Sequence, residues 1–360
     1  MEDSNPRILY PKNHHPCHMS DSPKGGLCED NLRVQKYVAI LGISLMSMKF
    51  IAWLITDSVS ILTDALESIV NVIAALVGVY ALYLSCKPRD VNHPYGHGKV
   101  ELISSSVEGV MIIVAGIMIL MQSVSRLLNP QPVQSLDIGL VLIIVAAVAN
   151  YVAGRYAIIK GKSNRSVALV ASGKHLCSDT YSSAGIIIGL GLMLLFSHLG
   201  YDVWWIDPIV AAIFGCIILV TGAKVVRDSM NGVMDRMDEQ TVNRVIEIIN
   251  VKRHDHWIDI HNLRVIKHGP MIHIEMHIVL PLSMTLIEQD REFNELKDTV
   301  ISEFGEYVDL ILMGESCNGN MCRFCNIVCD DRKEGFQSLI EWDIDTVTDE
   351  TEDHSEHHFP

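Results

Sequence analysis

The chain has 360 residues, 49% of them hydrophobic, and a formal net charge of -15. So large an apolar share, gathered into long stretches, excludes an ordinary single soluble domain. The negative balance argues against nucleic acid as a partner, because phosphate contacts need a basic face.

Residues 1–36 are polar and turn-rich, and NHHPCHM places His14, His15, Cys17 and His18 together. They are expected to form a disordered cytosolic tail, of a composition that can also hold soft cations weakly. No apolar core followed by a small-residue cleavage site marks a signal peptide. Six apolar segments follow, roughly 37–56, 58–86, 103–128, 136–159, 166–197 and 204–226, so that residues 37–228 form the expected membrane domain. Each is long enough to cross a bilayer, which takes about 20 apolar residues. Lys87, Arg89, Lys99, Arg155, Lys160, Lys162, Arg165 and Lys174 accompany the connections after segments two and four. Arg33 and Lys36 precede segment one and Lys224 and Arg227 close segment six, whereas the opposite side has essentially Arg126. The positive-inside rule then predicts a multi-pass protein with both termini cytosolic, in the lipid of the cell (inner) membrane.

Segment five contains GKHLCSDTYSSAGIIIGLGLMLLF, with His175 and Asp179 spaced i and i+4 on one helix face. A carboxylate inside a membrane helix costs about 2.5–3.5 kcal/mol, which a bound cation would offset. A helix end that simply meets water is the blander alternative. Segment two, SVSILTDALESIVNVIAALVGVYAL, carries Asp64, Glu67 and Asn71, the last two again i and i+4. Glu67, Asn71, His175 and Asp179 can thus build one four-coordinate site of three oxygens and one nitrogen, matched by charge to a divalent cation. Zinc suits tetrahedral N/O coordination, and the oxygen-rich set leaves Mn, Fe, Co or Cd open as substrates. The alternative is an interhelical hydrogen bond with Asn71 as packing glue. Two acids with no basic partner on their own helices argue against it, Lys49 of segment one being the only deep basic residue that could pair with them. Asp64, on another face from Glu67, is assigned to the access vestibule and Cys177 to packing.

The loop RDVNHPYGHGKVE brings Asp90, His93 and His97 into a turn shaped by Pro94, Gly96 and Gly98. Such a set fits either a partly hydrated metal site of low affinity or a tight turn alone. Beyond Asp228 the pattern becomes soluble. DEQTVNRVIEIINV is an amphipathic helix, and HNLRVIKHG with MIHIEMHIVLP is a hairpin about Gly269 and Pro270. SMTLIEQDREFNELKDTVISEF is a second helix and YVDLILMG a third strand. The order αββαβ over 229–316 predicts a small sheet with both helices on one face, too small for a large core of its own and therefore inclined to pair with a second copy. His261, His273 and His277 fall on neighbouring strands, the last two on one face. Residues 317–332 hold CNGNMCRFCNIVC, whose Cys317, Cys322, Cys325 and Cys329 point to metal rather than disulfides in a reducing compartment, with four unliganded thiols as the alternative. Residues 333–360 are acidic, His-bearing and expected to be disordered.

Six spans, the SVSILTDALES opening, NHPYGHGK, HLCSD, DPIVAA in segment six and the αββαβ tail together resemble the cation diffusion facilitator (CDF) family, over about residues 33–316. The resemblance implies an α-helical membrane protein: a six-helix transmembrane bundle, a ferredoxin-like cytosolic domain and, here, a Cys-rich tail. It implies a homodimeric exporter, not an enzyme, that moves divalent metals, typically zinc, out of the cytosol in exchange for protons. By position it puts Glu67, Asn71, His175 and Asp179 at the transport site, Asp90, His93 and His97 at a loop site, and His261 and His277 at a cytosolic site. Lys99 and Asp235 fall on an interlock between the two parts. The chain departs from the family where Glu67 and Asn71 replace Asp or His followed by Asp. Leu286 and Met313 also stand where further ligands are expected, and Glu315 replaces an Asp, so the cytosolic site is expected to be incomplete and the cysteines to supply the regulatory or structural metal. Alternating access would move the ion, and a histidine-containing site suits proton exchange. A metal-dependent hydrolase would need an open coordination position and a general base, and no H-E-x-x-H stretch is present. A non-transporting sensor is the remaining class.

Overall fold

The computed structural model describes residues 24–56, 59–129, 137–198, 205–305 and 307–349. The expectations for His14, His15, Cys17 and His18, and for residues 350–360, lie outside them.

Long runs of Leu, Ile, Val, Ala and Met with few breakers give six long helices: α1 (Lys24–Thr56), α2 (Val59–Ser85), α3 (Val100–Leu128), α4 (Asp137–Ser163), α5 (Val167–His198) and α6 (Ile206–Val233). Among the described residues, Gly26–Ile51, Val100–Leu128 and Pro208–Val233 are long and apolar enough to cross a membrane. Small residues set the closest crossings. A Cβ on Gly222 of α6 would stand 2.8 Å from Ile113 of α3, and one on Gly173 of α5 would stand 2.7 Å from the Gly154 carbonyl of α4. Where lipid removes the hydrophobic drive between helices, such close van der Waals approach holds them together.

The helices outrun their apolar segments on the polar side, and residues 24–36, expected in a disordered tail, are the first turns of α1. The reason is a buried polar seam. Asn164 Nδ2 donates to Asn31 Oδ1 at 2.8 Å, and Gln35 Nε2 donates to Ser172 Oγ at 2.8 Å. Val34 and Val38 pack beside that seam on Ala157, Leu169 and Leu176. Polar residues that read as tail are therefore interior residues with partners. A disulfide between Cys28 of α1 and Cys86, just past α2, was not anticipated either; the two are 58 residues apart.

The soluble part has the expected αββαβ order: α7 (Glu239–Val251), β1 (Asp259–His268), β2 (Met271–Leu280), α8 (Leu286–Phe304) and β3 (Val308–Ser316). Asp238 caps α7 by accepting from the Thr241 amide, and Thr285 with Glu288 forms a capping box on α8. The sheet runs β1-β2-β3, with β1 and β2 antiparallel and β2 and β3 parallel. Alternation along β2 sends Ile272, Ile274, Met276 and Ile278 into a core shared with Val245 and Ile249 of α7 and Leu296 and Val300 of α8. His273 and His277 therefore take the opposite face.

Residues 333–349, expected to be disordered, are built into this same core. Ile340, Trp342 and Val347 are buried, the last on a short helix α9 (Ile344–Thr348). Asn250 Nδ2 donates to the Trp342 carbonyl at 3.0 Å, Arg253 lies 3.8 Å over the Trp342 ring, and the Asn262 amide donates to the Asp349 carbonyl at 2.8 Å. Met321, Phe324 and Cys325 join the core as well, so the cysteine segment and the residues beyond it belong to the domain.

Candidate metal centres

The i, i+4 spacings on α2 and α5 bring Asn71, His175 and Asp179 together. Asn71 Nδ2 donates to Asp179 Oδ2 at 2.9 Å, and His175 Nε2 lies 3.2 Å from Asn71 Oδ1. With the amide turned to donate to the carboxylate, its oxygen can only accept, so the imidazole donates through Nε2. His175 is only 7% exposed, and its Nδ1 has no hydrogen-bond partner among the described residues. The side chains of Asp64 and Glu67 lie outside the described residues. Lys49 Nζ of α1 donates to Ser68 Oγ of α2 at 2.9 Å, placing a cation one residue along the chain from Glu67. Cys177 is buried against Gly154 of α4.

Two carboxyl groups on α3 were overlooked. Glu108 is 1% exposed, accepts from Ser172 Oγ at 2.6 Å through one oxygen, and its second oxygen has no hydrogen-bond partner. Glu101 accepts from Ser85 at 2.9 Å and Ser166 at 2.6 Å. A lone acid in apolar segment three was the available signal for Glu108.

In the loop, Asp90 Oδ1 accepts from His93 Nδ1 at 2.9 Å, while His97 Nε2 stands 3.5 Å from Asp90 Oδ2. One ligand atom from each residue lies within 4.8 Å of the others. The His93 side-chain hydrogen bond, aided by the His93 and Asn92 amides, holds the Asp90 carboxyl below the usual carboxylate range despite some desolvation. Directly beyond the loop, Lys99 Nζ donates to Asp235 Oδ2 at 2.8 Å, so the interlock pair is in contact. His268 Nε2 meets the other Asp235 oxygen at 3.2 Å. Partial burial works against ionising Asp235, but Lys99 and His268 outweigh it and leave its pKa lowered.

On the helix-free face of the sheet, His261 and His277 face each other across β1 and β2 with ring centroids 5.3 Å apart. Glu315 of β3 joins them, 3.3 Å from His261 Nε2 and 2.6 Å from His277 Nδ1. Their ligand atoms also lie within 4.8 Å, enough for one ion. Glu315, read as a mere replacement, is thus a donor in the set. A bulge between His261 and Arg264, with Asn262 at φ 51, re-registers the strand, and Asn262 Nδ2 reaches His277 Nε2 at 3.1 Å. Leu286 is 81% and Met313 47% exposed, and neither offers a ligand atom for this set.

His273 does not join the pair. It lies at the other end of the sheet with its ring 4.7 Å from His268, and Tyr95 of the loop stands edge-on to both rings. Asp309 contacts His273 at 3.2 Å and Arg89 at 2.9 Å. Burial pushes the pKa of both His268 and His273 down, against the pull of Asp235 and Asp309. The four cysteines, all free thiols, line a cavity of about 20 Å³ with Pro281, Ile327 and Arg332.

Comparison with known proteins gives the family of the chain. A family model described as the cation efflux transmembrane domain matches residues 36–234, and one described as the cation efflux protein, cytoplasmic domain, matches 237–312. An uncharacterized transporter of Synechocystis sp. is 32% identical over 275 residues, covering 75% of this chain and 87% of the relative. The cation-efflux pump FieF of Shewanella oneidensis is 28% identical over 247 residues, 68% of this chain and 81% of the pump. The pump of the same name from Escherichia coli is 24% identical over 278 residues, 76% of this chain and 89% of the pump.

Proposed function

Because this chain belongs to the cation efflux family, whose members are transporters and not enzymes, we propose that it is a proton-coupled exporter of divalent transition-metal ions, zinc foremost. It works by alternating access around Glu67, Asn71, His175 and Asp179. The observation that carries this reading is the meeting of Asn71, His175 and Asp179 from two separate helices, with the imidazole buried and one ring nitrogen without a partner among the described residues. An ion entering there displaces the amide-to-carboxylate hydrogen bond and takes its place as the link between α2 and α5. Metal and protons compete for the same carboxylates and imidazole, so loading from the cytosol releases protons and acid on the far side expels the ion.

All six long helices cross the membrane in this reading, and the basic residues beside α2, α4 and α6 put both termini in the cytosol of a cell-membrane protein. Asp90, His93 and His97 receive the hydrated ion, Lys99 with Asp235 locks the cytosolic domain to the bundle, and His261, His277 and Glu315 hold a cytosolic ion. The domain pairs with a second copy; Ile311 and Met313, exposed on the edge strand β3, support that.

The test is flux in proteoliposomes under a pH gradient, comparing Zn, Mn, Fe, Co and Cd. Zinc should move against protons, and Asp179→Ala should cut that flux more than about tenfold, at least 1.4 kcal/mol of lost ligation. Metal that binds without moving would favour a sensor, and activity without flux a hydrolase; either removes the exporter reading.

A further inference from the structure

We propose that Cys317, Cys322, Cys325 and Cys329 are a tetrathiolate site for one zinc-class ion, which pins the C-terminal segment onto the cytosolic domain. This site lies outside the transport machinery, and no step of export passes through it.

The four thiols come from thirteen consecutive positions, 317–329, yet converge on a single void. Its volume, about 20 Å³, admits one water-sized guest. Two ligands are anchored to the fold. The Cys317 amide donates to the Leu280 carbonyl at 2.8 Å, extending the sheet by one residue, and Cys325 is 7% exposed inside the domain core. Cys322 rides on the turn between them, and Cys329 follows four residues after Cys325. Asn318 caps a single 3-10 turn, Gly319–Arg323, by accepting from the Asn320 and Met321 amides. The Cys325 amide then returns to the Cys322 carbonyl at 3.4 Å, the tight C-x2-C turn common to thiolate sites.

Two neighbours favour thiolate charge. The Lys333 amide points at Cys322 Sγ at 3.4 Å, a donor that a thiolate accepts more strongly than a thiol does. The Arg332 guanidinium lines the same void while donating to the carbonyls of Cys322 at 3.3 Å, Cys325 at 2.6 Å and Ile327 at 2.7 Å. Four thiolates around a divalent ion carry a net charge of about -2, and a cation fixed beside them offsets part of it. No three of the sulfurs lie within 4.8 Å of one another, as the ligand atoms of the loop and sheet sets do. Binding therefore draws them inward by side-chain rotation.

The position gives the ion its role. Upstream lies β3; downstream the chain crosses to α7 and β1 and buries Ile340, Trp342 and Val347. An ion at this point fixes where that crossing begins.

The experiment uses the full chain in detergent, washed with a weak chelator, with metal counted per protomer and cobalt exchanged in as a reporter. One zinc should survive the wash in the wild type and in Asp179→Ala. Cys322→Ser and Cys329→Ser should each hold one fewer, and their trypsin cleavage between 317 and 349 should quicken about tenfold. The cobalt-loaded wild type should show sulfur-to-cobalt charge-transfer absorption, a readout that does not depend on any variant folding. Full zinc content in both serine variants overturns the site, as does wild-type cobalt protein without that absorption, or iron–sulfur absorption in place of zinc. A chain that exports metal yet fails these tests loses this site alone, whereas one that passes them without flux loses only the exporter reading.

Discussion

In the proposed exporter, ion choice is expected to turn on Asn71. Its amide joins the ring of His175 to the carboxylate of Asp179, donating to one and accepting from the other. An Asp in its place would set two carboxylates at a separation of 2.9 Å, which must share a proton or hold a cation between them. Asn71→Asp is therefore expected to tighten metal binding, slow release and reorder the preference among Zn, Mn and Co in competition flux. An unchanged order would remove the amide from selectivity. The meeting of Asn71 with His175 and Asp179 was legible because i and i+4 positions share a helix face whatever the surroundings. Glu315 was not, because it meets His277 only through the register of β3 on β2, and the bulge at Asn262 that lines up the partner strand leaves no pattern in a single sequence.

Between elements, the junction of loop, sheet and bundle is the most constrained place in the fold. A Cβ on Gly98 would lie 2.4 Å from the His268 carbonyl, so Gly98→Ala must push the loop off the β1–β2 turn. Overpacking of this kind costs about 1–3 kcal/mol, and the variant should show a lower melting temperature together with a weakened Lys99–Asp235 contact. Acid should act on the same junction. Burial depresses the pKa of His268 and His273, so an opened junction binds more protons than the closed one, and closure is strongest above the ordinary histidine value near 6.5. That contribution fades as pH falls below it, while Asp235, with its lowered pKa, stays ionised throughout this range. The groups around the two rings are Arg89, Tyr95, Lys99, Asp235 and Asp309. Hydrogen-exchange protection factors across 93–99 and 266–274, each referred to the intrinsic rate at that pH, should fall from about pH 7.5 to 5.5 in the wild type and stay flat in a His268→Asn/His273→Asn double variant. A flat wild-type profile would contradict this. At this scale the apolar segments located the helices but not their ends, because Asn31, Gln35 and Asn164 look solvated in sequence and are interior in the fold.

For the molecule as a whole, the unexpected feature is that the last described residues complete a core begun some hundred positions earlier. Averaged charge hid this, since Ile340, Trp342 and Val347 are scattered among acids. Each such side chain is worth about 1.5–3 kcal/mol when buried, so a stop after Ser316 should lower the melting temperature of the cytosolic domain by several degrees or leave it unfolded. Melting identical to that of the full chain would show that the segment packs without contributing.

The wrap also orders events during synthesis. The membrane helices leave the ribosome first and can be inserted while the sheet behind them still lacks part of its interior. Val347 is delivered after the membrane helices and all three strands, and only then can the core close. A chain cut short by a premature stop would reach the bilayer but carry an unclosed domain with exposed apolar strands, open to proteases before it could move any ion.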